Sequence, residues 1–357
     1  MADLALPIFT FIAVFLTLLP APSHWRAKNF TILILILWLI VGNFNTFVNR
    51  VVWMKRSANV APVWCDISVK LMSLVTMGIP CATFCIARKL ESIASMRHFS
   101  KMSQSRSQQF NYELIMCCGF PILYTLLTLI SQGHRFNIIE GQGCSPAIFL
   151  SPVSILIDYG LPLVMSMLSL IYSVLALKHF IVHKNDFETL LNKSGSVLST
   201  TKFLRMISFT LIDLLINFPI LLTEFIMELL YKNVEPYTSW ALVHHNFSRI
   251  SEYPALALNN PTGQKFIVVA ELSAWMACAS GIIFFVLFGF SIDARKDYAK
   301  LQQTLTSWIF DSKKKTHPST LNPSESIKSD IENIPDSCNK SIYANSDTTL
   351  AGHDSEK

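Results

Sequence analysis

The sequence predicts an all-α membrane protein, a bundle of seven transmembrane helices. Charged residues make up only 15% of the 357 residues and apolar residues 51%, and the mean hydropathy is +0.41. Soluble domains carry about 25% charged residues. A helix of about 20 apolar residues crosses a bilayer, because its backbone groups are hydrogen-bonded internally. Seven stretches of the chain meet that requirement.

The seven predicted spans lie within residues 1–295, which we expect to form the transmembrane domain. They are numbered in chain order as spans 1 to 7, at residues 4–20, 30–53, 66–91, 110–131, 152–177, 203–230 and 266–290. Span 1 is the shortest. No basic stretch precedes it as in a cleaved signal peptide, so we keep it as a span.

The positive charges predict the orientation. With the N-terminus outside and the C-terminus inside, 21 of the 29 Lys and Arg residues fall on the inner side and seven on the outer side. Cytoplasmic loops retain an excess of positive charge. Lys70, inside span 3, is the one basic residue counted on neither side.

Two cysteines remain on the outer side in this topology. Cys65 lies at the start of span 3 and Cys144 in the loop between spans 4 and 5, while five cysteines fall inside spans and Cys338 lies near the C-terminus. Disulfides persist on the oxidising side of a membrane, whereas cytoplasmic thiols stay reduced. We therefore expect a Cys65–Cys144 disulfide that holds the loop across the mouth of the bundle.

Residues 296–357 are predicted as a cytoplasmic, largely disordered tail. Its last part, residues 311–357, has 13 Ser or Thr residues and no apolar periodicity, so it cannot bury enough surface to offset the entropy of ordering. The run Lys313, Lys314 and Lys315 is either a contact with anionic lipid or solvated charge.

Ionisable residues within the spans cluster in the outer half of the membrane. Such residues are costly in lipid and usually face a cavity or one another. We interpret the cluster as a ligand-binding cavity, and the alternative is a set of side chains that reach the interface or pair with each other. The candidate ligand-binding residues are Asp66, Lys70, Asp158, Glu224, Glu228 and Glu271. If Lys70 faces the bundle, the acids within its reach are Asp66, Glu224, Glu228 and Glu271, and we expect it to pair with one of them.

Prolines interrupt spans 3 to 6, at Pro80, Pro121, Pro162 and Pro219. Each removes a backbone hydrogen bond and permits a kink. Span 6 is basic at its inner end, so Pro219 is a candidate hinge that would swing a charged helix end. The alternative is a static kink.

Several segments resemble one family when they are taken together and in order. They are "HWRAKN" at 24–29, "WLIVGNFNTFVNRVVW" at 38–53, "WCDIS" at 64–68, "IARKLESIA" at 86–94, "GC" at 143–144 and "FFVLFGFSIDARKDY" at 284–298, with Trp240, His244, Ile250, Tyr253 and Pro254. They resemble the fungal mating-type pheromone receptors of the a-factor receptor type, which are G-protein-coupled receptors, and look closest to those of smut fungi and other basidiomycetes.

The resemblance implies a plasma-membrane receptor rather than an enzyme. Its expected ligand is a secreted, farnesylated peptide pheromone, and its expected partner is a heterotrimeric G protein that feeds a MAP kinase cascade in mating. We expect contact with membrane lipid but no cofactor, metal or nucleic acid. A homodimer is left open. Basic residues at the inner ends of spans 3, 5 and 6 are candidate contacts for the C-terminus of Gα, whose helix end carries partial negative charge: Arg88, Lys89, Lys178, Lys202 and Arg205. Positive-inside charge alone is the alternative explanation.

A different class of function stays open beside the receptor. The same acidic outer residues suit a seven-span carrier or channel for a cationic solute. The two hypotheses differ in whether polar groups continue through the membrane, and the sequence has few at the midplane apart from Asp213.

Overall fold

The computed structural model describes residues 4–95, 106–183, 200–231 and 233–316. Within them, seven helices are long and apolar enough to cross a membrane, and they form a bundle. Spans 1 to 7 occupy Ala5–Arg26, Phe30–Val52, Pro62–Ala94, Ser107–Ser131, Pro152–Val182, Thr200–Leu230 and Pro261–Phe288. The predicted number and order of the spans are confirmed.

The observed helices extend past seven of the fourteen predicted bounds. Span 3 has 33 residues, about 50 Å of helix at 1.5 Å per residue, whereas the hydrocarbon core is about 30 Å thick. The extra turns contain polar residues that the hydropathy criterion excludes but that continue the helix. Span 1 is two helices, Ala5–Leu18 and Ala21–Arg26, on either side of Pro20.

The span prolines lie in two kinds of local structure. Pro80 and Pro219 lie inside uninterrupted helices. Pro121 and Pro162 instead follow short π-helical segments, Ile115–Gly119 in span 4 and Ile155–Gly160 in span 5. A π-helical turn inserts an extra residue and rearranges the backbone hydrogen bonds next to a site that lacks an N–H donor.

Close packing of spans 1, 2, 3 and 7 depends on glycine. A Cβ at Gly78 of span 3 would lie 2.7 Å from the indole ring of Trp38 in span 2. A Cβ at Gly281 of span 7 would lie 3.0 Å from the hydroxyl of Thr17 and 3.3 Å from the amide nitrogen of Asn43. Small residues allow helices to approach closely in a membrane.

A three-stranded sheet covers one end of the bundle, which we call the sheet end. Strand β1 is Phe136–Ile139, β2 is Gly143–Ser145 and β3 is Ile250–Tyr253. Their order is β2-β1-β3, with β1 antiparallel to β2 and parallel to β3. The sequence analysis predicted no strands. The fold is therefore all-helical in its spans, but not in its loops.

The predicted disulfide joins this sheet to span 3. Cys65 and Cys144 are bonded, with their Cα atoms 5.3 Å apart. The bridge is buried in a small apolar cluster with Trp53, Phe136 and Ile138. The loop between spans 4 and 5 is thus fixed over the helices as expected.

At the opposite end, which we call the tail end, span 7 is followed by a helix at Ile292–Thr316. The compact unit that contains the seven spans ends at Tyr298, and a second unit begins at Ala299 within this helix. The helix occupies the first part of the segment predicted as a largely disordered tail, because Ala, Lys, Leu and Gln are good helix formers. The prediction for residues 317–357, with Cys338, lies outside the described residues.

Candidate functional site

A cavity of about 210 Å³ lies between spans 3, 4, 5 and 6 at the sheet end. The loop between spans 4 and 5 contributes Pro146, Ala147 and Ile148 to its wall. Three of the six predicted ligand-binding residues line it together, one from each of spans 3, 5 and 6: Lys70, Asp158 and Glu224.

Lys70 is held by an amide rather than by an acid. Its Nζ donates to Oε1 of Gln132, 2.7 Å away. The Gln132 amide nitrogen in turn donates to the backbone carbonyls of His134 and Arg135, at 3.2 and 2.8 Å. Among the described residues no carboxylate forms an ion pair with Nζ, although Asp158 and Asp66 attract its charge, and the direct partner of Lys70 is Gln132.

Asp158 lies on the π-helical segment of span 5. Its backbone carbonyl accepts a hydrogen bond from the hydroxyl of Tyr124, 3.2 Å away. Its Oδ2 atom is buried and has no hydrogen-bond partner among the described residues. An orphaned carboxylate oxygen at a cavity wall is an acceptor available to a ligand.

Two further acids belong to span 6. The hydroxyl of Ser273 on span 7 donates to Glu224, which lines the cavity. Glu228, one helical turn away, is buried and interacts with the side chain of Tyr159 on span 5. These contacts link spans 5, 6 and 7 next to the cavity.

The structure places the remaining two predicted residues outside the cavity. Asp66 accepts two hydrogen bonds from Arg135, from Nε at 2.8 Å and from the terminal nitrogen at 2.5 Å. Glu271 of span 7 pairs with Arg50 of span 2, whose guanidinium also donates to the carbonyl of Gly141. Both acids therefore already have a cation and connect spans to loops.

The sequence analysis missed the neutral polar residues of the cavity. Gln132, Tyr124 and Tyr159 line it, and Gln132 sets the position of Lys70. They carry no charge at neutral pH, so a criterion of charged residues does not select them. Their polar groups lie in or next to apolar spans, and this is the signal that could have identified them.

Two titratable groups of the sheet-end loops have shifted pKa values. The hydrogen bond to Asp66 and the attraction of its charge raise the pKa of Arg135. Burial lowers the pKa of His134, and the nearby Arg249 acts in the same direction. His134 joins two loops, since its ring contacts Asn137 at 2.7 Å and Ser251 at 3.2 Å.

A polar cluster connects spans 6 and 7 below the cavity. Asp213 is buried, and its Oδ1 accepts hydrogen bonds from Ser280 at 2.7 Å and from Asn217 at 2.9 Å. Pro219 follows two residues after Asn217, and the hydroxyl of Thr223 donates to the carbonyl of Pro219. The candidate hinge thus lies just beyond a hydrogen-bonded contact between two helices.

The candidate G-protein contacts lie at the tail end of the bundle. Arg88 is exposed and its guanidinium lies 4.2 Å from the centre of the Tyr112 ring. Lys89 pairs with Glu113 at 3.2 Å. The remaining three are exposed or half-buried on spans 5 and 6: Lys178, Lys202 and Arg205.

The fold and the cavity define a class, a multi-pass membrane protein of seven helices with a partly enclosed polar cavity at one end. The chain belongs to the pheromone A receptor family, whose profile matches residues 5–306. The resemblance found in the sequence is thereby confirmed.

Named relatives agree with this assignment. The chain is 36% identical to pheromone receptor 1 of Mycosarcoma maydis over 84% of this chain and 83% of that one. It is 34% identical to the pheromone B alpha 3 receptor of Schizophyllum commune over 82% of this chain, which corresponds to 46% of the relative. The pheromone a factor receptor of Saccharomyces cerevisiae is 24% identical over 82% of this chain and 60% of that receptor. The chain spans less than half the length of the Schizophyllum relative.

Proposed function

We propose that this protein is a plasma-membrane receptor for a secreted, farnesylated peptide mating pheromone and that it activates a heterotrimeric G protein upstream of a MAP kinase cascade. Family membership supports the pheromone as ligand. The observation that carries the proposal within this chain is the cavity at the sheet end, where Lys70, Asp158 and Glu224 converge.

The proposed orientation places the sheet end outside and the tail end in the cytoplasm. Spans 2, 4 and 6 end at the sheet end, so the tail end is the side to which the sequence prediction assigns 21 of the 29 basic residues, as the positive-inside rule expects. The Cys65–Cys144 bridge then lies on the oxidising side. A secreted ligand would meet the cavity from outside.

Apolar packing between the Asp213 cluster and the tail end favours a receptor over a channel or carrier. Toward the tail end, side chains of spans 2, 3, 6 and 7 pack together and leave no space for water: Ile32, Leu35, Ile86, Met206, Phe209, Phe284 and Phe288. A cationic solute would need polar groups at this level. A signal can instead cross as a shift between conformations that bind the ligand differently.

We propose Pro219 as the hinge of that shift. Span 6 carries Glu224 at the cavity and Arg205 near its tail end, on opposite sides of Pro219. A ligand that binds one arrangement of Glu224 more tightly would bias the position of the basic helix end. The candidate contacts for the Gα C-terminus lie on that end and on the neighbouring ends of spans 3 and 5.

The test is nucleotide exchange on a fungal Gα in membranes that contain this chain. A panel of farnesylated, carboxymethylated peptides should accelerate exchange, and the same peptides without the farnesyl group serve as the control. Exchange that no peptide alters, at normal surface density of the chain, would contradict the proposal.

A second arm tests the tail end. Charge reversal at Arg88 and Arg205, to Glu at both positions, should reduce peptide-stimulated exchange while peptide binding at the sheet end persists. Undiminished exchange with normal expression would remove both residues from the proposed G-protein contact and leave the positive-inside explanation for them.

A further inference from the structure

We propose that the cavity takes a single positively charged group of the ligand, such as a Lys or Arg side chain or a peptide N-terminus, with Asp158 as its counter-ion. This inference rests on the proposed function, because it specifies which part of a peptide ligand enters the cavity. The charge balance, the tether of Lys70 and the size of the cavity support it.

The charge balance leaves more carboxylates than cations at the cavity wall, since Asp158 and Glu224 line it with Lys70 alone. At the sheet end, Arg135 neutralises Asp66 and Arg50 neutralises Glu271. Glu224 has a hydroxyl partner, Ser273, and Asp158 has a carboxylate oxygen without any described partner. Carboxylates buried among membrane helices are expensive unless a positive charge compensates them.

Lys70 attracts Asp158 electrostatically but makes no hydrogen bond to it, so one ammonium group faces two carboxylates at the cavity wall, Asp158 and Glu224. The hydrogen bond to Gln132 directs the Lys70 ammonium toward the loop between spans 4 and 5. The amide of Gln132 cannot turn freely, since its nitrogen donates to two backbone carbonyls. Lys70 is therefore better placed to donate to a carbonyl oxygen of the ligand beside the cation than to replace the cation.

The size of the cavity restricts the occupant to one group. A volume of about 210 Å³ is below the range of about 300–1,000 Å³ that holds a drug-sized molecule. A whole lipidated peptide therefore cannot enter. Apolar side chains also line the cavity, with Val69, Met72 and Leu221 among them. They suit the methylene stem of a long basic side chain whose charged end reaches the acid.

The experiment changes the ligand and the receptor together. In a panel of farnesylated, carboxymethylated peptides, each position in turn carries arginine or its uncharged isostere citrulline. Wild-type receptor should respond to one arginine peptide at a concentration about 10- to 100-fold lower than to its citrulline partner, the factor typical of a hydrogen bond to a charged group. The readout is the concentration for half-maximal nucleotide exchange.

Asp158→Asn should abolish this preference, because it removes the charge and keeps the shape. The arginine peptide should lose potency, whereas the citrulline peptide should retain it. Glu252→Gln is the matched control, since Glu252 is an exposed carboxylate on β3 outside the cavity. It should leave the preference intact.

The outcomes separate this inference from the proposed function. An active panel with equal potency for every arginine and citrulline pair would overturn the cationic site, and it needs no mutant. A preference that persists in Asp158→Asn at equal surface density would overturn the role of Asp158. A panel that is wholly inactive on wild type would contradict the proposed function and this inference with it.

Discussion

The two ends of the bundle are held by different kinds of contact. At the sheet end, a disulfide, three strands and two ion pairs tie the loops to spans 2, 3 and 7. At the tail end, the described residues contain neither a strand nor a disulfide. Side-chain contacts hold that end instead, such as Lys89 with Glu113, Arg26 with Asp297 and the stacked rings of Phe180 and Phe203.

This difference indicates where the molecule can change shape. Covalent and backbone contacts at the sheet end keep the mouth of the cavity fixed. Helix ends joined by side-chain contacts can exchange partners without breaking backbone hydrogen bonds. The Asp213 cluster and Pro219 lie between the two ends on span 6, where a rigid cavity and a more adaptable tail end would have to communicate.

The largest expected effect comes from removing the disulfide. The double substitution Cys65→Ala and Cys144→Ala should lower the thermal midpoint by about 4–5 °C, which corresponds to roughly 3 kcal/mol in a protein of this size. A thermal shift assay in detergent measures it. The stabilisation by the disulfide should be smaller than in a soluble chain, because helices that are already inserted in the membrane restrict the unfolded state.

The control for that experiment is a cysteine without a bridge. Cys118 on span 4 is free and half-buried, so Cys118→Ala should change the midpoint little. Equal midpoints for the double variant and the wild type would show that strands and ion pairs alone hold the sheet end. The disulfide would then not contribute to the difference in stability between the two ends.

Two glycines of the β1–β2 hairpin, Gly141 in the turn and Gly143 at the start of β2, separate backbone strain from packing at the sheet end. Gly141 and Gly143 both have positive φ, at 81° and 86°. A Cβ at Gly141 has no atom within 4 Å, but a Cβ at Gly143 would lie 2.7 Å from Cβ of Asn49. Asn49 cannot easily move, because its side chain bonds Ser68 and Trp64.

Gly141→Ala should therefore cost about 1 kcal/mol, and Gly143→Ala about 2 kcal/mol. Thermal midpoints of the two variants, measured side by side, test the difference. If both variants lost the same stability, the contact with span 2 would contribute nothing, and the sheet would be less tightly seated on the helices than its geometry indicates.

The spans and the disulfide could be predicted from the sequence. A span is identified by the length of its apolar stretch, and the disulfide by the two cysteines that lie on the outer side of the membrane. The sheet could not be predicted in this way. Strand β3 lies more than 100 residues after β1, its parallel partner, and each strand has at most four residues. Pairing at that distance depends on the packed bundle.

The cavity was predicted only in part for a related reason. Asp66 and Lys70 share a helix face by spacing, and the sequence grouped them. The structure separates their roles, since Asp66 accepts a hydrogen bond from Arg135 and Lys70 donates one to Gln132. Both partners come from the end of span 4 and its loop. Partner choice is thus decided by the loop that the disulfide fixes, which local spacing does not encode.

The smallest expected effect concerns pH and the contact between the two sheet-end loops. Arg249 donates to Nδ1 of His134 at 3.2 Å, so Nδ1 must be an acceptor and the ring is neutral, with Nε2–H directed at Asn137. Burial and Arg249 lower the pKa of His134. The unfolded chain therefore takes up this proton first as the pH falls below about 6.5. Stability rises with pH wherever the unfolded state binds more protons, so the contribution of His134 is full above that pH and declines below it.

The thermal midpoint should fall between pH 7.5 and 5.5 by on the order of 1 °C more in the wild type than in His134→Gln, which does not titrate. Other histidines affect both proteins equally and cancel in the difference. Identical pH dependence in the two proteins would mean that the loop contact tolerates a protonated His134, and that this part of the sheet end is less rigid than its hydrogen bonds suggest.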